Sequence, residues 1–417
     1  MALLLQKIVT DKLFRNTSWM MLTEAVSKIS RLLTVVVMAA YLSPEAFGIA
    51  ALALACHELI RIFSRAGAGA VVIGCSEERL KRTAANASLL QWITCVVLTG
   101  LQWSIAERIA LFYQEPQLEV LLKTLAWTYL CYPLVAVKVF MLQRQNRFRY
   151  FSLANAATVI TDNLAIAALL FMGEGIMAVA YAKILAALVW ILVFGFAKVE
   201  TLRPSFHRAT FVRLTIVSVQ LFLADSLRAL RFQVDVFIAA RLLDPLYFGY
   251  YSFAKSAGVG LSQSLTQAFL SSLYPYICEQ LRAGREQPAL RKATLFAGTI
   301  ALVFVLQSLA APIYIPILFN SKWDAAIPIV SILCLTGITA ILADTFSSFI
   351  RAKQQAKPEM ILMAASVACF VFTILIFQPN NGIALASVTT VASVFWLLPM
   401  LYVKKIPMMF IQPKVVT

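Results

Sequence analysis

Lys28 and Arg31 stand three residues apart in a stretch that is otherwise largely apolar, and Arg228 and Arg231 repeat the arrangement 200 residues later. On a helix, positions three or four apart share a face, so each pair presents two cations in one direction. His57 and Arg61 are spaced by four, and Lys255 adds a further cation in an apolar run. Guanidinium groups grip phosphate and carboxylate oxygens bidentately, and ammonium groups act as point charges. Lys28, Arg31, Arg61, Arg228, Arg231 and Lys255 are therefore the candidate binding set, suited to a phosphorylated or acidic ligand. Asp162, Asp235 and Glu58 are acids in similarly apolar surroundings. Carboxylates there are candidates for taking up a proton or Na⁺ to drive transport.

The same spacings also fit plain ion pairs. Glu24 with Lys28, Asp225 with Arg228 and Arg231 with Asp235 are each three or four apart, and Lys183 is placed to pair with Asp162. Such pairing does not absorb the whole set. Glu24, Glu58, Asp225 and Asp235 are four acids against the six candidate cations. Lys123 and Lys138 fall near predicted helix ends, where they reach back to the polar boundary. His57 reads more readily as a hydrogen-bonded core group than as a titrating one. The sequence has no GxxxxGK[ST], HExxH or GxSxG. The seven cysteines form no CxxC or CxxH pattern. The expectation is a protein that is not an enzyme and needs no metal or cofactor.

The elements that must carry these charges follow from composition. The chain has 417 residues, 61% of them hydrophobic and 13% charged. Soluble domains run to about 25% charged, so a soluble globular enzyme and a disordered chain are both excluded. Apolar windows long enough to span a bilayer fall at about 17–40, 46–67, 84–112, 117–142, 150–172 and 175–197. A second series falls at about 212–241, 246–272, 290–318, 325–349, 357–378 and 382–403. The expected fold is an all-α integral membrane protein of twelve transmembrane helices in two six-helix lobes related by a pseudo-two-fold axis. The lobes would occupy 1–197 and 212–417, joined by a cytoplasmic linker at 198–211. Pro133, Pro275, Pro312, Pro316, Pro328 and Pro399 lie in or near spans and are candidate hinges.

The net charge of +16 sorts along this pattern. With the N-terminus in the cytoplasm, the cytoplasmic segments hold clusters such as Arg79/Lys81/Arg82, Arg144/Arg147/Arg149, Arg282/Arg285/Arg291/Lys292 and Arg351/Lys353/Lys357. Two-thirds of the 36 Lys and Arg fall there, against Arg108, Arg241 and Lys322 on the other side. This is a positive-inside distribution, expected to place both termini in the cytoplasm with the basic loops against anionic lipid. No basic domain stands clear of the membrane, so nucleic acid is not an expected partner.

Two stretches repeat. Leu42-Ser43-Pro44-Glu45-Ala46-Phe47-Gly48 and Leu243-Asp244-Pro245-Leu246-Tyr247-Phe248-Gly249 share L-[S/D]-P-x-x-F-G at an offset of 201, continued by Ala53 and Ala254. Gly175-Ile176 matches Gly382-Ile383 at 207, and Arg144-Gln145 loosely matches Lys353-Gln354. Six helices repeated in one orientation imply an axis along the membrane normal, a transporter architecture.

On these residues, together with Ile29-Ser30-Arg31-Leu32-Leu33-Thr34 leading into the first motif, the chain resembles a Wzx-type polysaccharide flippase. Such flippases belong to the multidrug/oligosaccharidyl-lipid/polysaccharide (MOP) exporter superfamily. The resemblance covers nearly the whole chain. It implies a transporter of the bacterial inner membrane that moves an undecaprenyl-pyrophosphate-linked oligosaccharide to the periplasmic leaflet by alternating access. The oligosaccharide would be an O-antigen, capsule or exopolysaccharide unit. It also implies a cationic cavity between lobes, onto which Arg31, Arg61, Arg228, Arg231 and Lys255 carry over by position. Polysaccharide polymerase and chain-length proteins are the implied partners, beside membrane lipids. The chain departs from members with two further C-terminal helices, which argues against the lipid II branch. A cation-coupled multidrug exporter of the same superfamily is the alternative and would carry few cavity cations. A membrane polymerase or ligase would need a long outer loop with paired Arg or His.

Overall fold

The computed structural model describes residues 12–405, apart from 66–67, 146, 200–203 and 354. Among the described residues the fold is all helical. In chain order the helices are α1 (Lys12–Tyr41), α2 (Pro44–Arg65), α3 (Ala68–Gly74), α4 (Glu77–Tyr113) and α5 (Pro116–Ala126). They continue as α6 (Ala136–Arg144), α7 (Phe148–Phe171), α8 (Met177–Gly195), α9 (Arg208–Leu242), α10 (Pro245–Ala257) and α11 (Val259–Arg282). The rest are α12 (Glu286–Leu318), α13 (Ile327–Cys334), α14 (Thr336–Ala352), α15 (Ala356–Phe377), α16 (Gly382–Ala392) and α17 (Leu398–Lys405).

Every one of the twelve expected windows is occupied by a helix or by two stacked helices. Eight meet a strict test of length and apolarity among the described residues, and a ninth does so if α5 and α6 form one span. The windows outside that test are those of α1, α9 and α10–α11, which carry Arg31, Arg228, Arg231, Asp235 and Lys255. The charges that make these helices interesting are the charges that lower their hydropathy. The chain is thus a multi-pass helical membrane protein, with eight to nine spans meeting the test where twelve are expected.

Sequence explains the local shapes. Pro133 falls in the break between α5 with its following 3₁₀ turn and α6, where the path bends by 54°. Pro312 and Pro316 sit inside α12 without ending it. That helix also shows how a lipid-facing span is built. Ala289, Ala293, Ala297 and Ala301 recur every four residues and are buried, whereas Leu295, Leu302, Leu309 and Ile317 are well exposed. Small residues let helices approach closely, and large aliphatic ones face the acyl chains.

Contacts divide the chain into a unit of Met1–Gly249 and a unit of Tyr250–Thr417. In the first, α9 packs on α2 and α4, so the seventh span groups with the first six by packing. The lobe boundary expected at 198–211 rests on the repeat, which these contacts do not address.

The repeat has a physical counterpart at both motifs. Leu42 N donates to Met38 O at 2.9 Å, and Leu243 N donates to Ala239 O at 3.0 Å. Phe47 N to Ser43 O and Phe248 N to Asp244 O match at 2.9 Å each. Pro44 and Pro245 both open helices, where a missing N–H costs nothing. Leu42, Phe47, Ala53 and their counterparts Leu243, Phe248 and Ala254 are all buried.

The loose Arg144-Gln145/Lys353-Gln354 match gains an acidic half that the sequence reading did not include. Arg144, closing α6, pairs with Glu77 in the first turn of α4 at 2.7 Å. Lys353, just past α14, pairs with Glu286 in the first turn of α12. Both acids and both bases are offset by 209 residues.

Candidate functional site

In the first unit the charged residues inside the spans collect around a buried polar core. His57, on α2, is 1% exposed. Its ring stacks on Tyr129 with centroids 4.8 Å apart. Tyr129 Oη lies 3.0 Å from His57 Nδ1 and donates to Gln102 Oε1 at 2.6 Å. Gln102 Nε2 in turn donates to Leu122 O at 2.7 Å, and Thr128 Oγ1 lies 3.4 Å from His57 Nε2. Each heteroatom of this core has a partner, as burial requires. The reading of His57 as a packed histidine agrees with this geometry.

Two ion pairs border the core. Arg61 Nε donates to Glu58 Oε2 at 3.1 Å, with a second, shorter contact from Nη2, and the Arg61 side chain is 19% exposed. Lys183 on α8 meets Asp162 Oδ2 on α7 at 2.5 Å, the pairing expected from sequence. Lys183, Glu58 and Arg61 are all close enough to act electrostatically on His57. Asp162 Oδ1 is buried and accepts no hydrogen bond among the described residues. A neighbouring polar clasp joins α1 to α7. Asn163 Nδ2 donates to Ser30 Oγ at 2.6 Å, and Thr34 Oγ1 to Asn163 O at 3.3 Å.

The remaining candidates are more dispersed. Arg31 is exposed and Arg228 half-buried. Arg231 is 3% exposed, with its guanidinium carbon 4.9 Å from the Phe232 ring centroid, and Asp235 one turn on is 7% exposed. The side chains of Lys28, Glu24 and Asp225 lie outside the described residues. Lys123 is held by Glu119 at 2.6 Å over the Trp103 ring, and Lys138 donates to Gly195 O at the C-terminus of α8. Both thereby belong to helix-end structure, as expected.

In the second unit Lys255 is half-buried in the last turn of α10, where the helix path breaks at Gly258. The carbonyls freed by the break are answered from α12. Gln307 Nε2 donates to Gly258 O at 2.7 Å, and Tyr314 Oη donates to Ala257 O at 3.1 Å. A Cβ at Gly258 would lie 2.6 Å from Ala254 O. Discontinuous spans with their backbone re-satisfied by neighbours are a recurring way to build transporter sites.

Sequence reasoning missed Gln102, Tyr129, Asn163, Gln307 and Tyr314. A signal existed for the amides, since Gln and Asn in the middle of apolar helices need partners. Their partners, 20 to 133 residues away, had no local signature.

Helices of spanning length, buried polar side chains and a broken helix define a multi-pass helical membrane protein. The profile of the family described as "Polysaccharide biosynthesis protein" matches residues 37–328, and the chain belongs to that family. The teichuronic acid biosynthesis protein TuaB of Bacillus subtilis (strain 168) is 23% identical over 312 residues, covering 70% of this chain and 61% of TuaB. Among solved structures, the lipid II flippase MurJ in an inward closed conformation superposes with a TM-score of 0.74 at 18% identity, covering 93% of this chain and 88% of MurJ. An inward-facing MATE-family multidrug resistance transporter of the MOP superfamily gives 0.68 at 14% identity, covering 90% and 94%. A MOP superfamily transporter of Pyrococcus furiosus, whose structure is described by a reversed polarity of the binding pocket, gives 0.62 at 16% identity, covering 94% of each chain. The fold is that of the MOP transporters.

Proposed function

We propose that the chain flips an undecaprenyl-pyrophosphate-linked oligosaccharide (an O-antigen, capsule or exopolysaccharide unit) across the bacterial inner membrane by alternating access. It would work as two six-helix lobes, 1–197 and 212–417, with a cytoplasmic linker at 198–211 and both termini in the cytoplasm. The observation that carries this reading is the excess of cations placed within spans, against family membership in polysaccharide biosynthesis. A charge at a span centre costs about 2.5–3.5 kcal/mol, so cations are kept there only where a partner or an anionic ligand offsets that cost. Arg31, Arg61, Arg228, Arg231, Lys255 and Lys28 would hold the pyrophosphate. Asp162, Asp235 and Glu58 are the proposed acids for ion coupling. Polymerase and chain-length proteins would receive the product.

The likeness to MATE transporters supports a second reading, a cation-coupled multidrug exporter. Gene deletion followed by lipid extraction separates the two. The flippase reading expects undecaprenyl-linked oligosaccharide to accumulate on the cytoplasmic leaflet, with no change in drug resistance. Unchanged lipid-linked pools with increased drug sensitivity would replace it by the exporter.

A further inference from the structure

Helices α4 and α12 start at matching places in the repeat, with Glu77 and Glu286 209 positions apart. Burial keeps the same register. Ala84 and Ala293, Ser88 and Ala297, Cys95 and Phe304, Gln102 and Ala311 are buried pair by pair. The helices differ on one face near their starts. In the first unit Asn86 is 0% exposed, and Thr83 and Ala87 are buried beside it. In the second unit Leu295, at the position of Asn86, is 63% exposed, and Lys292 and Phe296, at the positions of Thr83 and Ala87, are exposed too. The first unit covers this face with its own chain. Ser205 N donates to Ala85 O at 3.3 Å and His207 N to Asn86 Oδ1 at 2.8 Å, and α9 follows onto the same helix. On α12 the matching face is an open trough of about 480 Å³, lined by Gln287, Pro288, Arg291, Lys292 and Leu295.

Its chemistry departs from the first unit as well. Gln287 stands where the first unit has Glu78, and Lys292 where it has Thr83, so an acid is lost and a cation gained. The acid beside them, Glu286, is taken up by Lys353. Other cations of the basic clusters are likewise spent on protein, Arg144 on Glu77 and Arg351 on Glu359. The Arg291 side chain forms no ion pair or hydrogen bond among the described residues, and Lys292 Nζ lies 5.5 Å from the Tyr276 ring centroid. Further along the helix, Leu295, Leu302, Leu306 and Leu309 recur at helical spacing and are exposed. Two unspent cations at the end of an acyl-facing leucine stripe match an anionic phospholipid, with its phosphate at the helix end and its chains along the helix.

We propose that this face of α12 binds an anionic phospholipid from the leaflet on the side of the basic clusters, filling in the second unit the place that residues 204–207 and α9 fill in the first. Arg291, Lys292 and Gln287 hold the headgroup phosphate, and Leu295 and Leu302 receive the chains. The site does not depend on which substrate the protein carries. Residues 406–417 follow α17 in sequence as the linker follows α8, but their one charged residue, Lys414, is a cation and does not complement the face.

The test uses the full chain in a cysteine-free background, with a bimane on Thr299→Cys, an exposed position two turns beyond Arg291. The protein is reconstituted in phosphatidylcholine vesicles containing brominated phosphatidylglycerol or brominated phosphatidylcholine. Quenching is expected to show phosphatidylglycerol enriched about tenfold over phosphatidylcholine, the order that two cations at the membrane surface supply. Arg291→Gln/Lys292→Gln is expected to bring the ratio close to one. Arg79→Gln/Arg82→Gln, on the matching part of the first unit, is expected to leave it unchanged. All four side chains are exposed, so the substitutions spare the fold. Deleting 406–417 and adding inorganic phosphate are each expected to change nothing. Equal quenching by the two lipids, equal loss in both charge variants, or enrichment that appears only once 406–417 is removed overturns the site. Displacement by inorganic phosphate would make it a soluble-anion site and overturn the lipid assignment. The outcome of the lipid-extraction test bears on none of these results.

Discussion

Lys183 and Asp162 show how much a single pair can decide. Their side chains are 24% and 15% exposed, so each charge is largely withdrawn from water and stabilised by the other. Removing one member leaves the second uncompensated, which costs about 3–5 kcal/mol in a buried pair and somewhat less at this exposure. Lys183→Met is therefore expected to lower the melting temperature in detergent, and Asp162→Asn/Lys183→Met to recover most of the loss. Equal destabilisation in the single and double variants would mean that the pair is not coupled. This pair was legible in sequence, because two opposite charges in neighbouring apolar spans have few other places to go. The His57–Tyr129–Gln102 core was not. The sequence marks His57 and Gln102 as polar residues in apolar helices, but the stacking of His57 on Tyr129 spans 72 positions, and no periodicity records it.

At the scale of elements, the duplicated ion pairs Glu77–Arg144 and Glu286–Lys353 tie the end of one span to the start of another in each unit. Exposed ion pairs contribute about 0–1 kcal/mol. Glu77, 81% exposed, therefore explains little of the stability of its junction. Arg144 does more. Its Nη1 donates to the carbonyls of Val72, Ile73 and Cys75 at 3.1, 2.9 and 2.7 Å, closing the C-terminal end of the seven-residue helix α3. Those carbonyls have no helical partner of their own. Arg144→Ala is expected to speed hydrogen exchange across residues 68–75 far more than Glu77→Ala. Arg144→Lys should fall between the two, because one ammonium cannot reach the carbonyls held by Nη1 and the Glu77 carboxylate held by Nη2 at the same time. Similar protection in all three variants would reduce Arg144 to a surface charge. The duplication itself was read from the L-x-P-x-x-F-G motifs. Its second trace was read only in its basic half, Arg144-Gln145 against Lys353-Gln354; the acids Glu77 and Glu286 escaped because each is a lone charge 67 positions from its partner.

For the whole molecule, the distribution of basic residues is a claim about orientation that can be measured without knowing the substrate. Helix windows alone set the number of crossings poorly, since α1, α9 and α10–α11 carry charges that blur their hydropathy. Charge asymmetry is independent of that blur. Each basic cluster lies at an end where the preceding and following spans must both return, and attraction to anionic lipid adds about 1 kcal/mol per cation near the surface. Glu174 and Asn380, in the turns after α7 and α15, should then be outside, while Ser205 and Gly284 should be inside. Single cysteines at the first two positions are expected to react with an impermeant maleimide added to intact cells, and those at the latter two only after permeabilisation. A pattern that alternates correctly but in the opposite sense would keep the even span count and invert the orientation. Cations proposed to receive a pyrophosphate from the inner leaflet would then open first to the outer one. A break in the alternation between positions 205 and 284 would instead remove a span from α9 to α11. Lys255 would then no longer lie at membrane depth beside the broken helix. That result would count against the repeat, because the second set of spans would hold one crossing fewer than the first.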